Sequence, residues 1–179
     1  FVSVSRDTHG GFKSSGSIYQ YDINTGNLVH TYENPTPAAS DYFGYSLPII
    51  QDGKMIVGSY RDDNNGFSDS GAVHIFDTAT GNLLHTIENP VPDDWDEFGK
   101  NIKVQDDRII VFSPYTDLDG QTSAGAVFVY NINSGELLHS IHNPTPDEYE
   151  FFGLDGSVVE NVLLPKNRTI YSEKNSLIC

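Results

Sequence analysis

The chain has 179 residues, with 25 acidic against 10 basic side chains and a formal net charge of −15. That balance repels a phosphate backbone and excludes nucleic acid as a natural partner, and no apolar run approaches the ~18 residues of a membrane span. Sixteen Gly, nine Pro, ten Tyr and ten Phe favour short strands and turns over helices, and Cys179 stands alone, so no intrachain disulfide forms.

The chain opens on Phe1-Val2-Ser3-Val4-Ser5, a short alternating strand with no initiator Met and no signal-peptide pattern. It aligns with Ile56 to Tyr60, the second strand of a blade, so the chain is read as a processed product or a fragment. Ser17 to Tyr21 alternates and is rich in aromatic and β-branched residues. Asn24-Thr25-Gly26 supplies turn chemistry and Asn27 to Glu33 the partner strand, which together predict a hairpin. Asn34-Pro35-Thr36-Pro37 lacks two backbone donors, so it ends the strand and becomes a connection. After Phe43-Gly44, Ser46 to Ile50, the turn Gln51-Asp52-Gly53 and Lys54 to Gly58 predict a second hairpin.

The whole pattern then repeats. Gly16-Ser17-Ile18-Tyr19 returns as Gly71-Ala72-Val73-His74 and Gly125-Ala126-Val127-Phe128. Thr25-Gly26 returns as Thr80-Gly81 and Ser134-Gly135. Asn34-Pro35-Thr36-Pro37 returns as Asn89-Pro90-Val91-Pro92 and Asn143-Pro144-Thr145-Pro146. Phe43-Gly44 returns as Phe98-Gly99 and Phe152-Gly153. All four markers step by 55 and then 54 residues. The missing residue is placed in the second hairpin, at the turn where Gln51-Asp52-Gly53-Lys54 is answered by Gln105-Asp106-Asp107-Arg108. Units starting near Gly16, Gly71 and Gly125 fill 1–164, and 165–179 matches no earlier copy.

These residues carry a family resemblance. Phe43-Gly44, Ile56-Val57-Gly58-Ser59 and Gly71-Ala72-Val73-His74 resemble the FG-GAP pattern of integrin α-subunit propellers and of secreted bacterial and archaeal repeat proteins. The resemblance implies an all-β, β-propeller-like fold of about three four-stranded antiparallel blades. Closed propellers use 4–8 blades, so it also implies a partial propeller or a ring completed by oligomerisation. Ser157 to Leu164 and the first strand are candidates to pair, within a chain or between chains. A second similarity joins Asp77-Thr78-Ala79-Thr80-Gly81-Asn82-Leu83-Leu84 to quinoprotein-type propeller turns. There the pattern continues to a Trp; here His85 follows, matched by His30 and His139, and these are assigned an interblade docking role.

Candidate sites lie in the loops. Asp63-x-Asn65-Gly66 and Asp117-x-Asp119-Gly120 place oxygen ligands two apart before a turn glycine, as a calcium loop opens. Asp63, Asn65, Asp69, Asp117 and Asp119 are the candidate Ca²⁺ ligands, against the simpler reading of Asp, Asn and Gly as turn formers. The FG-GAP calcium loop itself has no counterpart, because its segment is a tight turn here. Asp93-Asp94-Trp95-Asp96-Glu97 and Asp147-Glu148-Tyr149-Glu150 set an aromatic among carboxylates, suited to stacking on a sugar or facing a basic partner, against the simpler reading of a ring packed on the next blade with its charges in water. Asn167-Arg168-Thr169 matches a glycosylation acceptor. No nucleophile elbow, zinc helix motif or phosphate loop is present. The expectation is a non-catalytic binding or structural module, extracellular or at the cell surface, in adhesion, scaffolding or assembly. Its partner is a protein, a glycan or a second copy met through open blade edges. The alternatives are a propeller enzyme acting on carbohydrate or using a quinone, and a self-assembling array subunit.

Overall fold

The structure, a computed structural model, describes residues 1–159 and 162–166. Residues 167–179, and with them Cys179 and Asn167-Arg168-Thr169, lie outside the described residues. Thirteen strands and no helix are present among the described residues: β1 (Val2–Val4), β2 (Ser17–Tyr21), β3 (Leu28–Glu33), β4 (Ile49–Gln51), β5 (Lys54–Ser59), β6 (Ala72–Asp77), β7 (Leu83–Glu88), β8 (Asn101–Gln105), β9 (Arg108–Ser113), β10 (Ala126–Asn131), β11 (Leu137–His142), β12 (Asp155–Val159) and β13 (Val162–Lys166).

They form four antiparallel sheets in chain order: β1-β2-β3, β4-β5-β6-β7, β8-β9-β10-β11 and β12-β13. The expected hairpins are all there. The sheets, however, are out of phase with the sequence unit. Each blade joins the Phe-Gly hairpin of one unit to the Gly-Ala-Val hairpin that follows it in the next. The Asn-Pro-x-Pro segment is therefore the crossing from one blade to its neighbour. Two sheets are complete at four strands, the first has three and the last two, and among the described residues no pairing joins the first sheet to the last.

The extra residue of the longer unit also sits elsewhere than expected. The two turns Asp52-Gly53 and Asp106-Asp107 have the same length. The surplus lies just before β4, where Pro48 cannot donate to a ladder and Leu47 is 78% exposed, so β4 is three residues long against five in β8.

Central strands are buried on both faces, which is why β5, β6, β9 and β10 read as nearly continuous apolar runs. Alternate residues serve opposite neighbours. Met55, Val57 and Phe76 join Ile18, Tyr32 and Phe43 between the first and second blades. Ile56, Val73 and Ile75 join Phe98, Ile109, Val111, Phe128 and Tyr130 between the second and third. Ile110, Phe112, Val127 and Val129 join Phe152 on the far side of the third. The core is thus a row of interblade layers, and no blade has a core of its own.

The repeated markers are the fastenings of these layers. The backbone N–H of Phe43, Phe98 and Phe152 donates to the carbonyl of Ser15, Ser70 and Ala124 of the preceding blade, at 3.0, 3.1 and 3.0 Å. Two further rungs repeat beside each: Trp95 to Ser68 and Glu97 to Asp69, with Ser40 to Lys13, Tyr42 to Ser14, Tyr149 to Thr122 and Phe151 to Ser123 in the other copies. At the opposite end, His30 Nε2 lies 3.2 Å from the Ala79 carbonyl and His85 Nε2 2.9 Å from that of Asn133. Each ring covers the turn glycine of the next blade, Gly81 or Gly135. The docking role expected for these two histidines is what the contacts show; His139, on the third blade, is exposed.

Candidate loop-end binding site

The loops after β5 and β9 and the approaches to β4 and β8 share one end of the sheets, and the functional candidates gather there. The local fold comes from turn chemistry. Asn64 and Phe67 exchange backbone hydrogen bonds around Asn65-Gly66, whose φ values are 54° and 88°. Leu118 and Gln121 do the same around Asp119-Gly120 at 53° and 79°. Two successive positive φ values define the tight hairpin turn that Asn, Asp and Gly tolerate best.

Asp63 and Asp117 close the same loops from below. Asp63 Oδ1 accepts from the Asp69 N–H at 2.9 Å and Asp117 Oδ1 from the Ser123 N–H at 2.7 Å. Of the five candidate calcium ligands, the structure brings Asp63 and Asp69 together. Asn65 turns away to donate to Glu88 at 3.2 Å, and the Asp69 carboxylate lies 3.7 Å from Arg61. Asp119 stands at the tip of its turn. Among the described residues no group of three or more His, Cys, Asp or Glu is placed to hold a metal ion.

Below the loops lies a buried acid at one register position. Asp41 and Asp96 are each 1% exposed. Asn34 and Asn89, from the Asn-Pro-x-Pro crossings, each donate to that carboxylate at 2.7 Å, and the Asp93 N–H adds a bond to Asp96 at 2.9 Å. Burial pushes both carboxyls up to about 7, helped by Asp62 and Asp63 near Asp41 and by Asp93 and Asp117 near Asp96. Glu150 holds Asn143 in the third copy.

A second register position changes chemistry in step with its partner. Tyr19 Oη donates to Asp7 at 2.6 Å, which lowers the Asp7 carboxyl and raises the Tyr19 phenol. In the next unit the fully buried His74 lies 3.7 Å from Asp62. In the third, Phe128 offers no donor, and Thr116 replaces the acid and bonds Ser113 Oγ at 2.8 Å. The Ser59 hydroxyl, which corresponds to Ser113, is buried without a hydrogen-bond partner. His74→Phe alone takes from Thr86 Oγ1 its ring partner at 3.1 Å and from Asp62 its nearest ring N–H, while Asp62 keeps its bond from Thr36 at 2.7 Å, and is expected to cost about 1–2 kcal/mol. Asp62→Thr combined with it installs the third unit's solution and gives Ser59 a partner, so the double variant should recover most of that loss. Chemical denaturation of the two variants measures the recovery.

Above these buried pairs sits a cluster that joins two blades. Tyr42, Tyr45 and Tyr60 lie with ring centroids 5.1–6.3 Å apart. The Arg61 guanidinium covers Tyr42 and Tyr60 at 5.6 and 5.5 Å, and Lys100 Nζ lies 5.2 Å from Tyr60 and 5.8 Å from Tyr115. Burial works against the Lys100 charge, but its direct bond to Glu97 leaves the ammonium above its ordinary value. Sequence reasoning missed this cluster, yet a signal existed. Tyr45 and Lys100 are register equivalents, as are Arg61 and Tyr115, so ring and cation exchange places between consecutive units and meet across the interface.

Outermost stand Trp95 and Tyr149, 60% and 59% exposed at φ 71° and 60°. Their rings do not bury against the next blade. One other concavity, a cleft of about 320 Å³ lined by Ser46, Leu47, Ile49, Ile102, Lys103 and Val104, lies between the β4 and β8 edges.

Comparison with known proteins agrees with this architecture. The FG-GAP repeat family matches residues 36–76, from the first crossing to the end of β6. No curated protein matches the chain. Solved structures do, among them a europium-containing methanol dehydrogenase at 14% identity and a TM-score of 0.52, over 73% of this chain. The chain spans 22% of that enzyme's length, and at this identity the likeness is one of fold. One unit of the chain thus matches the FG-GAP repeat, the same markers stand in register in the other two, and the sheets are arranged as part of a β-propeller.

Proposed function

We propose that this propeller module is a non-catalytic binding and structural element, working outside the cell in adhesion, scaffolding or assembly, and that it meets a protein or glycan through its loop end. The observation that supports this is the pair Trp95 and Tyr149. A bulky side chain at positive φ costs about 1–3 kcal/mol, and these two rings bury little to offset it. The interblade rungs Trp95 to Ser68 and Tyr149 to Thr122, both 2.8 Å, hold that backbone in place and the rings in water. Exposed aromatics on a rigid scaffold are what a partner's pockets take up. Calcium at Asp63, Asn65, Asp69, Asp117 and Asp119 belongs to this proposal as a modulator of the same loops. The dehydrogenase likeness lends no residue to an enzymatic reading.

Glycan and matrix-protein arrays probed with the labelled chain test it, in millimolar calcium and in chelator. Retention is expected, with at least a tenfold loss in Trp95→Ala and Tyr149→Ala, at unchanged melting temperature, for at least one retained protein or glycan. Absence of any retained partner, or variants indistinguishable from the parent towards every retained partner, would sink the reading. Calcium-independent retention and melting would remove the metal alone. Assembly through the open sheet edges belongs to the same proposal, and solution mass reports it.

A further inference from the structure

Resting on that reading, we infer that the ring-and-cation cluster between the second and third blades is a saccharide site, and that it takes a neutral sugar. Three features of the cluster carry this. The Tyr45 ring is 55% exposed while its neighbour Tyr60 is 7% exposed, so one aromatic face is offered to solvent and stiffened from behind. A sugar ring presents an apolar C–H face that covers such a surface, while its rim of hydroxyls needs donors and acceptors close by.

Arg61 supplies the donors. Its guanidinium is fixed against Tyr42 and Tyr60, yet stands 3.7 Å from both Asp69 and Glu97. At that separation the pairing is coulombic and no hydrogen bond is made. The side chain is 35% exposed. A planar fork held in place, with its terminal donors uncommitted, reaches two adjacent hydroxyl oxygens at little entropic cost. Glu97 and Asp69 are the acceptors within the same reach, and Lys100 adds a further donor from the other blade.

Charge selects among sugars. Arg61 and Lys100 are balanced locally by Asp69 and Glu97, while the chain as a whole carries −15. An acidic sugar meets a site with no surplus positive charge inside a repulsive field, whereas a neutral one is indifferent to it.

Saturation-transfer NMR on the whole chain tests the site. The probes are neutral gluco-, manno- and galacto-configured oligosaccharides, with polygalacturonate as the acidic comparison. At least one neutral oligosaccharide should bind, and binding should fall at least tenfold in Tyr45→Ala, which removes an exposed ring and leaves the melting temperature intact. Arg61→Gln should weaken it to a similar degree, and Trp95→Ala should not. No neutral binding, stronger binding of polygalacturonate, or binding that survives both Tyr45→Ala and Arg61→Gln overturns the inference. Each of those leaves the loop-end module to be judged by Trp95 and Tyr149. Turnover of the bound sugar, lost in Tyr45→Ala, upholds the site and instead removes the non-catalytic reading.

Discussion

Asp96→Asn is expected to stabilise the protein at pH 7.5 and to flatten its stability between pH 4 and 7. The native state keeps the Asp96 proton up to about pH 7, whereas the unfolded chain releases it near 3.8. Between those values the folded state binds more protons, so stability falls with each step up in pH and levels off above about 7. A separation of about three units is worth roughly 4 kcal/mol at most. The side-chain amide of the variant keeps an acceptor for Asn89 and for the Asp93 N–H but has no charge to bury. A gain of about 2–4 kcal/mol at pH 7.5 is expected, shrinking towards pH 4. Asp41→Asn should act the same way at the first crossing, where burial also raises the carboxyl to about 7. Below pH 4 the sign reverses. Asp7, bonded by Tyr19, and Asp22 and Asp77, bonded by the turn N–H groups of Thr25 and Thr80, have lowered carboxyls. Their contribution disappears as acid protonates them. Urea denaturation at pH 4.5, 6 and 7.5 measures the curve, and a parent protein no less stable at 7.5 than at 4.5 would contradict it.

Much of the fold was legible because the repeat exposes it. Turn glycines, Asn-Pro-x-Pro and Phe-Gly in one register fix where strands stop, and periodicity does the rest. Blade phase was legible only where Phe1 to Ser5 answers the second strand of a blade, since the units themselves were cut at Gly16, Gly71 and Gly125. A hairpin pairs locally, and nothing in Ser17 to Glu33 says whether its partner sheet lies before or after it in the chain. That choice is made by β1 pairing with β2, and by Met55 and Phe76 packing beside Tyr32 across the first interface. The docking of His30 and His85 was readable from strand parity with Leu28 and Leu83. The tyrosine, arginine and lysine cluster was not read, because Lys100, Tyr115 and Glu97 come from the next unit and only the folded interface brings them to Tyr60 and Arg61. The acidic loops were read for their charge, while the backbone was the stronger determinant: Asn65 and Asp119 occupy positive φ, and Asp63 and Asp117 satisfy loop N–H groups.

The glycines of the motif test the interblade fastening most directly. A Cβ on Gly58 would lie 2.0 Å from the Gly99 carbonyl oxygen, and one on Gly71 would lie 2.1 Å from that of Phe98. Neither obstacle is the free end of a side chain. Phe98 is fastened through its N–H to Ser70 of the second blade, so relief strains that rung, moves the third blade away from the second and opens the layer around Ile56, Val73 and Phe98. Gly58→Ala is the purer steric probe, because Gly58 lies inside β5 and does not share the positive φ of Gly71 at 89°. Gly71→Ala adds backbone strain to the same clash. Each is expected to cost about 3–5 kcal/mol, in the range of overpacked cores and strained backbones. Gly66 provides the contrast: it has φ 88° but open space where a Cβ would go. Gly66→Ala should lose only about 1 kcal/mol from strain. If the three variants melt together, the Phe-Gly and Gly-Ala-Val segments do not bear on each other as the structure has them. If Gly58→Ala and Gly71→Ala fall far below Gly66→Ala, both glycines are there for contact between blades; Gly71 repeats as Gly16 and Gly125, whereas Ser3 and Phe112 stand at the register of Gly58, so the repeat spacing is that of an interface at the Gly-Ala-Val position.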